Sequence, residues 1–110
     1  MTPRHLAIPI LAAAFLLGCS NNTQQQRDAA QAAADGYCNC ATKIAAEDPA
    51  TLSARTELCK QEETAWKTAW EGLPDRANGD DDALAISNYQ SGCYTILHDA
   101  WGAARTAASD

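Results

Sequence analysis

Four cysteines constrain this chain more than any other feature. Cys38, Cys40, Cys59 and Cys93 are spread through the part of the 110-residue sequence that reads as helical. A domain this small has limited capacity to bury an apolar core and commonly depends on covalent staples or a structural metal. Where the helices carry the four sulfurs therefore decides what the chain can become.

From Arg27 onward the pattern is that of a helix. Ala29, Ala30, Ala32, Ala33 and Ala34 are strong helix formers, and no proline intervenes before Pro49. Ala30, Ala33, Tyr37, Cys40 and Ile44 recur at three- and four-residue steps, one apolar stripe. Gly36 is the weak point, where a kink near Tyr37 is allowed. Glu47-Asp48-Pro49 closes this element and opens the next, with Asp48 as N-cap and proline at the first helical position. A second helix is expected from Pro49 to about Glu71, because Leu52, Cys59, Trp66 and Leu73 fall at steps of seven, with Ala69 and Trp70 widening the stripe. Gly72 is expected in a left-handed cap, with Leu73 folded back and Pro74 ending the helix. Asn78-Gly79 is a turn signal. Asp80-Asp81-Asp82 then supplies an N-cap and favourable charge for a third helix, which continues to about Thr106 through Ile86, Tyr89, Cys93, Ile96, Leu97 and Ala100. Nothing alternates with period two. The expectation is an all-α fold, a small three-helix up-down-up bundle stapled by two disulfides.

The levels of the sulfurs follow from this layout. Cys40 lies nine residues before Pro49 and Cys59 ten after it; Cys59 lies fifteen before Pro74 and Cys93 thirteen after Asp80. In an antiparallel hairpin rising about 1.5 Å per residue, each pair comes to nearly one height, so all four sulfurs share a layer. A bridge from Cys38 to Cys40 inside a helix is disfavoured, since residues two apart point to nearly opposite sides. Two pairings stay open, and a small offset in height leans toward Cys38–Cys93 with Cys40–Cys59. A four-thiolate zinc site is the competing reading. Such sites pair closely spaced cysteines twice over, whereas Cys59 and Cys93 stand alone, so no metal is expected.

The beginning of the chain supplies an address. Thr2-Pro3-Arg4-His5 is a short basic start, and Leu6 to Leu17 is an almost unbroken apolar run, too short to span a bilayer but suited to a signal-peptide core. It ends in Leu16-Leu17-Gly18-Cys19. This stretch resembles the lipobox of a bacterial lipoprotein precursor, with Leu17 where Ala or Ser is commoner. The resemblance implies removal of residues 1–18, acylation of Cys19, and a membrane anchor through that covalent lipid. Ser20 after the cysteine, rather than Asp, implies the outer membrane facing the periplasm over the inner membrane. An exported chain meets an oxidising compartment, which favours disulfides over free thiols. Residues 19–26 are expected to be the lipidated cysteine and a flexible tether, because Ser20 to Gln26 holds no apolar residue and no charge. Residues 27–110 form the domain.

Without Arg4 the mature chain carries seven basic against fourteen acidic side chains, about −7. Such a charge argues against nucleic acid as a partner and in favour of a basic protein in the periplasm. Signals for chemistry are sparse. His98 and Asp99 are neighbours that diverge by about 100° on a helix and cannot face one site. Asp80-Asp81-Asp82 lacks the alternating ligand spacing of a calcium loop. No nucleophile motif or phosphate loop occurs, so no enzyme activity and no cofactor beyond the lipid are expected. Trp66 and Trp70 share a face, and Trp101 is expected to approach them, as core or as surface. The candidate binding surface is Trp70, Trp101 and the cluster Asp80, Asp81 and Asp82. The expected function is a non-enzymatic, protein-binding factor of inhibitor or immunity type. The alternative is an accessory or structural outer-membrane lipoprotein without a soluble target.

Overall fold

The computed structural model describes residues 22–73 and 80–109, so the signal segment, Cys19 and Ser20 lie outside the described residues. Four helices account for nearly all of them: α1 (Asn22–Ala45), α2 (Pro49–Ser53), α3 (Lys60–Glu71) and α4 (Asp81–Ser109), with no strand among the described residues. No helix there is long and apolar enough to cross a membrane.

α1 starts at Asn22, five residues before the expected start at Arg27, taking in Gln24, Gln25 and Gln26, which were expected in the tether. Glutamine is a fair helix former, and Gln24 Nε2 donates to Asp28 Oδ1 one turn on at 2.9 Å. The helix continues through Gly36 without interruption. α1 and α4 run side by side in the same direction. Arg27 meets Asp80 at 2.7 Å and Cys38 is bonded to Cys93, so the register offset stays nearly constant along the pair. α3 runs antiparallel to α1, since Cys40 bonds Cys59 while Ala30 and Ala34 share a core cluster with Trp66 and Leu73.

The single helix expected from Pro49 to Glu71 is two. α2 is capped as anticipated: Asp48 Oδ1 accepts from the Thr51 hydroxyl at 2.7 Å, and Oδ2 from the Thr51 backbone N–H at 3.4 Å. It ends after five residues, and the connection 54–59 carries no glycine or proline. Two ties hold the chain in this open path. Arg55 Nε donates to Glu47 Oε1 at 2.7 Å, with a second bond from Nη2 to Oε2. Cys59 stands at φ 56° before α3, a left-handed position rare for a non-glycine residue, and its disulfide fixes it there. The steps of seven nevertheless survive the break, for Leu52, Cys59, Trp66 and Leu73 are all buried. The break lets α2 turn onto the later part of α4, which a straight helix could not do.

Other ends differ in detail. Gly72 closes α3 with a right-handed backbone, φ −76°, in place of the expected left-handed cap. Leu73 does fold back, donating its N–H to the Trp70 carbonyl at 3.0 Å. Asp80 caps α4, its Oδ1 accepting from the Asp82 N–H at 3.0 Å, while Asp81 and Asp82 stand in the first turn.

The core divides into two clusters along the bundle. One gathers Ala30, Ala34, Trp66, Leu73, Ala83 and Ile86. The other gathers Tyr37, Ala41, Ile44, Leu52 and Leu97 around the cystines. On α4 the buried line is Ile86, Gln90, Cys93, Leu97 and Ala104. Tyr89 and Ile96, expected inside, are 43% and 53% exposed. Tyr89 lies at the edge of the contact with α1, its side chain against Asp35 and its carbonyl 3.7 Å from the Cys38 sulfur.

Candidate functional site

The four cysteines come together as Cys38–Cys93 and Cys40–Cys59. The first is buried between α1 and α4; the second ties α1 to the start of α3, with Cys40 half-buried. Cys40, Cys59 and Glu62 have ligand atoms within 4.8 Å of one another. Both sulfurs are consumed by the disulfide, so this trio offers no thiolate to a metal.

The proposed binding-surface residues do not form one surface. Trp70 is half-buried and stacks on the buried Trp66, ring centroids 5.4 Å apart, in the cluster near the start of α4. Trp101 is half-buried but packs on the other cluster, so it does not approach those two. Asp80 is committed to the helix cap and to Arg27, whose guanidinium holds its carboxyl below the usual carboxylate range. Asp81 and Asp82 are exposed.

What the structure adds is a cleft beside Trp101, about 310 Å³ in volume. The 54–59 connection supplies Thr56, Glu57 and Leu58, α3 supplies Lys60 and Glu63, and α4 supplies His98 and Trp101. Aromatic packing stiffens the α4 wall. Tyr94 stacks on His98 with centroids 4.0 Å apart, and His98 meets Trp101 edge-on at 6.4 Å. The Arg105 guanidinium lies 4.8 Å from the Trp101 ring centre, within cation–π reach. The Glu57 and Glu63 carboxylates and the Lys60 ammonium make no hydrogen bond or ion pair among the described residues.

Behind this wall two polar atoms are buried without a partner among the described residues, the Tyr37 hydroxyl and the Trp101 Nε1–H. Tyr37 is fully buried, and its phenol is pushed up to about 12, first by burial and then by the nearby Glu63 carboxylate, with Tyr94 a further neighbour. A buried polar group left unpaired costs about 1–3 kcal/mol. Packing around Tyr37 has to offset that cost.

His98 has no hydrogen-bond partner among the described residues, and no carboxylate orients it as a base. Glu57, Lys60 and Glu63 were not singled out in the sequence, because the cleft exists only where the expected second helix breaks. A signal for the break was present in Thr51, Ser53 and Thr56, hydroxyl residues that compete for local backbone bonds. Ser53 Oγ indeed donates to the Ala50 carbonyl at 3.1 Å.

No protein family, curated protein or solved structure matches this chain.

Proposed function

We propose that the chain is a small lipid-anchored protein of the bacterial envelope whose helical domain binds another protein without catalysing a reaction. The anchor reading rests on Leu16-Leu17-Gly18-Cys19, with Cys19 as the acylated residue and Ser20 favouring the outer membrane facing the periplasm. The observation that carries the binding reading is the cleft beside Trp101. It joins aromatic side chains to two carboxylates that make no hydrogen bond or ion pair among the described residues. Disulfides hold its walls, so little ordering remains to be done on binding. The acidic balance of the chain steers it toward a basic periplasmic protein and speeds encounter at low salt.

The burial of Trp66 and the half-burial of Trp70 favour the second reading, an accessory or structural lipoprotein with no soluble target. Purification of the lipidated protein from its own membranes across a range of ionic strength separates the two. The binding reading expects one basic protein that co-purifies and dissociates as salt rises. General weakening of the envelope on gene deletion, with no co-purifying protein at any salt, favours the accessory role.

A further inference from the structure

We infer that the cleft receives an arginine side chain from a basic segment of the partner; this rests on the binding reading above. Three observations meet here. The half-buried Trp101 indole holds a guanidinium at cation–π distance, that of Arg105 at 4.8 Å, and the same ring lines the cleft, whose lining does not include Arg105. Glu57 and Glu63, from two separate segments of one cleft, make no ion pair among the described residues. Lys60, on the same rim, pairs with neither carboxylate. A cleft lined by an aromatic ring and two unpaired carboxylates is complementary to a flat cation that can stack and donate bonds at once. Guanidinium does both, whereas an ammonium is a compact, strongly hydrated charge with no plane to stack. The volume of about 310 Å³ suits a side chain, not a folded element. Charge complementarity therefore selects the occupant: an exposed arginine on a basic stretch of protein.

The test is a titration of the folded, oxidised domain with N-acetyl-Gly-Arg-Gly-amide, followed by the backbone and indole N–H resonances in NMR spectra. Two further peptides carry citrulline or lysine in place of arginine. Citrulline keeps the shape and loses the charge. The expected result is a saturable shift of the Trp101 indole N–H and of the backbone N–H of Glu57 and Glu63, with the buried Trp66 unmoved. The lysine peptide binds more weakly, and the citrulline peptide leaves the spectrum unchanged. Glu57→Gln combined with Glu63→Gln weakens arginine-peptide binding about tenfold or more, the scale of a desolvated cation–aromatic and charge contact. Lys60→Gln, which removes the competing cation, tightens it. Asp28→Asn combined with Asp35→Asn makes the same charge change on exposed positions of α1 that do not line the cleft, and leaves affinity within about twofold.

Equal shifts with the citrulline peptide overturn the inference, as do undiminished affinity in the double Gln variant or shifts confined to the Asp81 end. In each case a partner that still co-purifies with the lipidated protein leaves the binding reading standing. If instead the arginine peptide binds as described but no protein co-purifies at any ionic strength, the arginine cleft stands and the binding reading falls.

Discussion

Removing the two disulfides one at a time should have unequal effects, and the inequality follows from geometry. Cys38–Cys93 closes a sequence separation of 55 residues and Cys40–Cys59 one of 19. In the chain-entropy account these closures stabilise the fold by about 4.2 and about 3.2 kcal/mol at 25 °C. The second figure is offset by a backbone cost. Cys59 sits at φ 56°, and a non-glycine residue in the left-handed region costs about 1 kcal/mol or somewhat more. Breaking Cys40–Cys59 allows that position to relax, so its net loss is about 2 kcal/mol. The double alanine variants should therefore differ by about 2 kcal/mol. For a domain this size that is a gap of about 8–16 °C in melting temperature, with Cys38→Ala/Cys93→Ala the less stable. Thermal and guanidinium unfolding by circular dichroism reads it directly. A companion variant checks the relaxation: Cys40→Ala/Cys59→Gly should be no more stable than Cys40→Ala/Cys59→Ala, since a position that has left the left-handed region offers glycine no penalty to remove. Equal or reversed stabilities of the two alanine pairs refute the reasoning. So does a glycine variant clearly more stable than alanine, which would mean the position stays left-handed without its disulfide.

The mature protein should show no free thiols and bind no zinc in non-reducing mass analysis. Spectroscopic titration should find Tyr37 ionising near 12. Because the folded value lies above the unfolded one, the stability it contributes is complete below pH 10 and is lost as pH rises toward 12. Tyr37→Phe should abolish that dependence and be neutral or stabilising at pH 7, since the removed hydroxyl has no partner among the described residues. Gly92→Ala should stabilise α4 by about 0.5–1 kcal/mol, because an added Cβ meets nothing within 4 Å. In cells, Cys19→Ser should leave the precursor uncleaved and unacylated, and a normally processed, membrane-bound product would overturn the lipobox reading.

The helical class was legible because the alanine run, the Asp48-Pro49 cap and the acidic start at Asp80 act locally, over one or two turns. The layer of cysteines was legible for a related reason: helical rise turns sequence distance into height, and two capped boundaries set the origin. The extent of the middle helix was not. No glycine or proline stands between Ala54 and Cys59, and the steps of seven through Leu52, Cys59, Trp66 and Leu73 match the buried positions whether or not the helix is continuous. The break is held by tertiary ties, Arg55 to Glu47 and Cys59 to Cys40, which no local propensity encodes. The cleft was hidden with it, because Glu57 and Glu63 face one space only after the chain leaves the helix. Tyr89 and Ile96 were misplaced because a mean helical period leaves the face undetermined by a fraction of a turn. The Cys38–Cys93 bond fixes it.

Site-specific photocrosslinking in living cells tests the central claim most directly. A crosslinker at position 57, on the cleft, is compared with one at position 95, on the exposed outer side of α4. The account predicts one basic envelope protein captured from position 57 and not from position 95, lost when Glu63→Gln is combined with high salt. Capture of nothing from position 57, or of the same proteins equally from both positions, contradicts it.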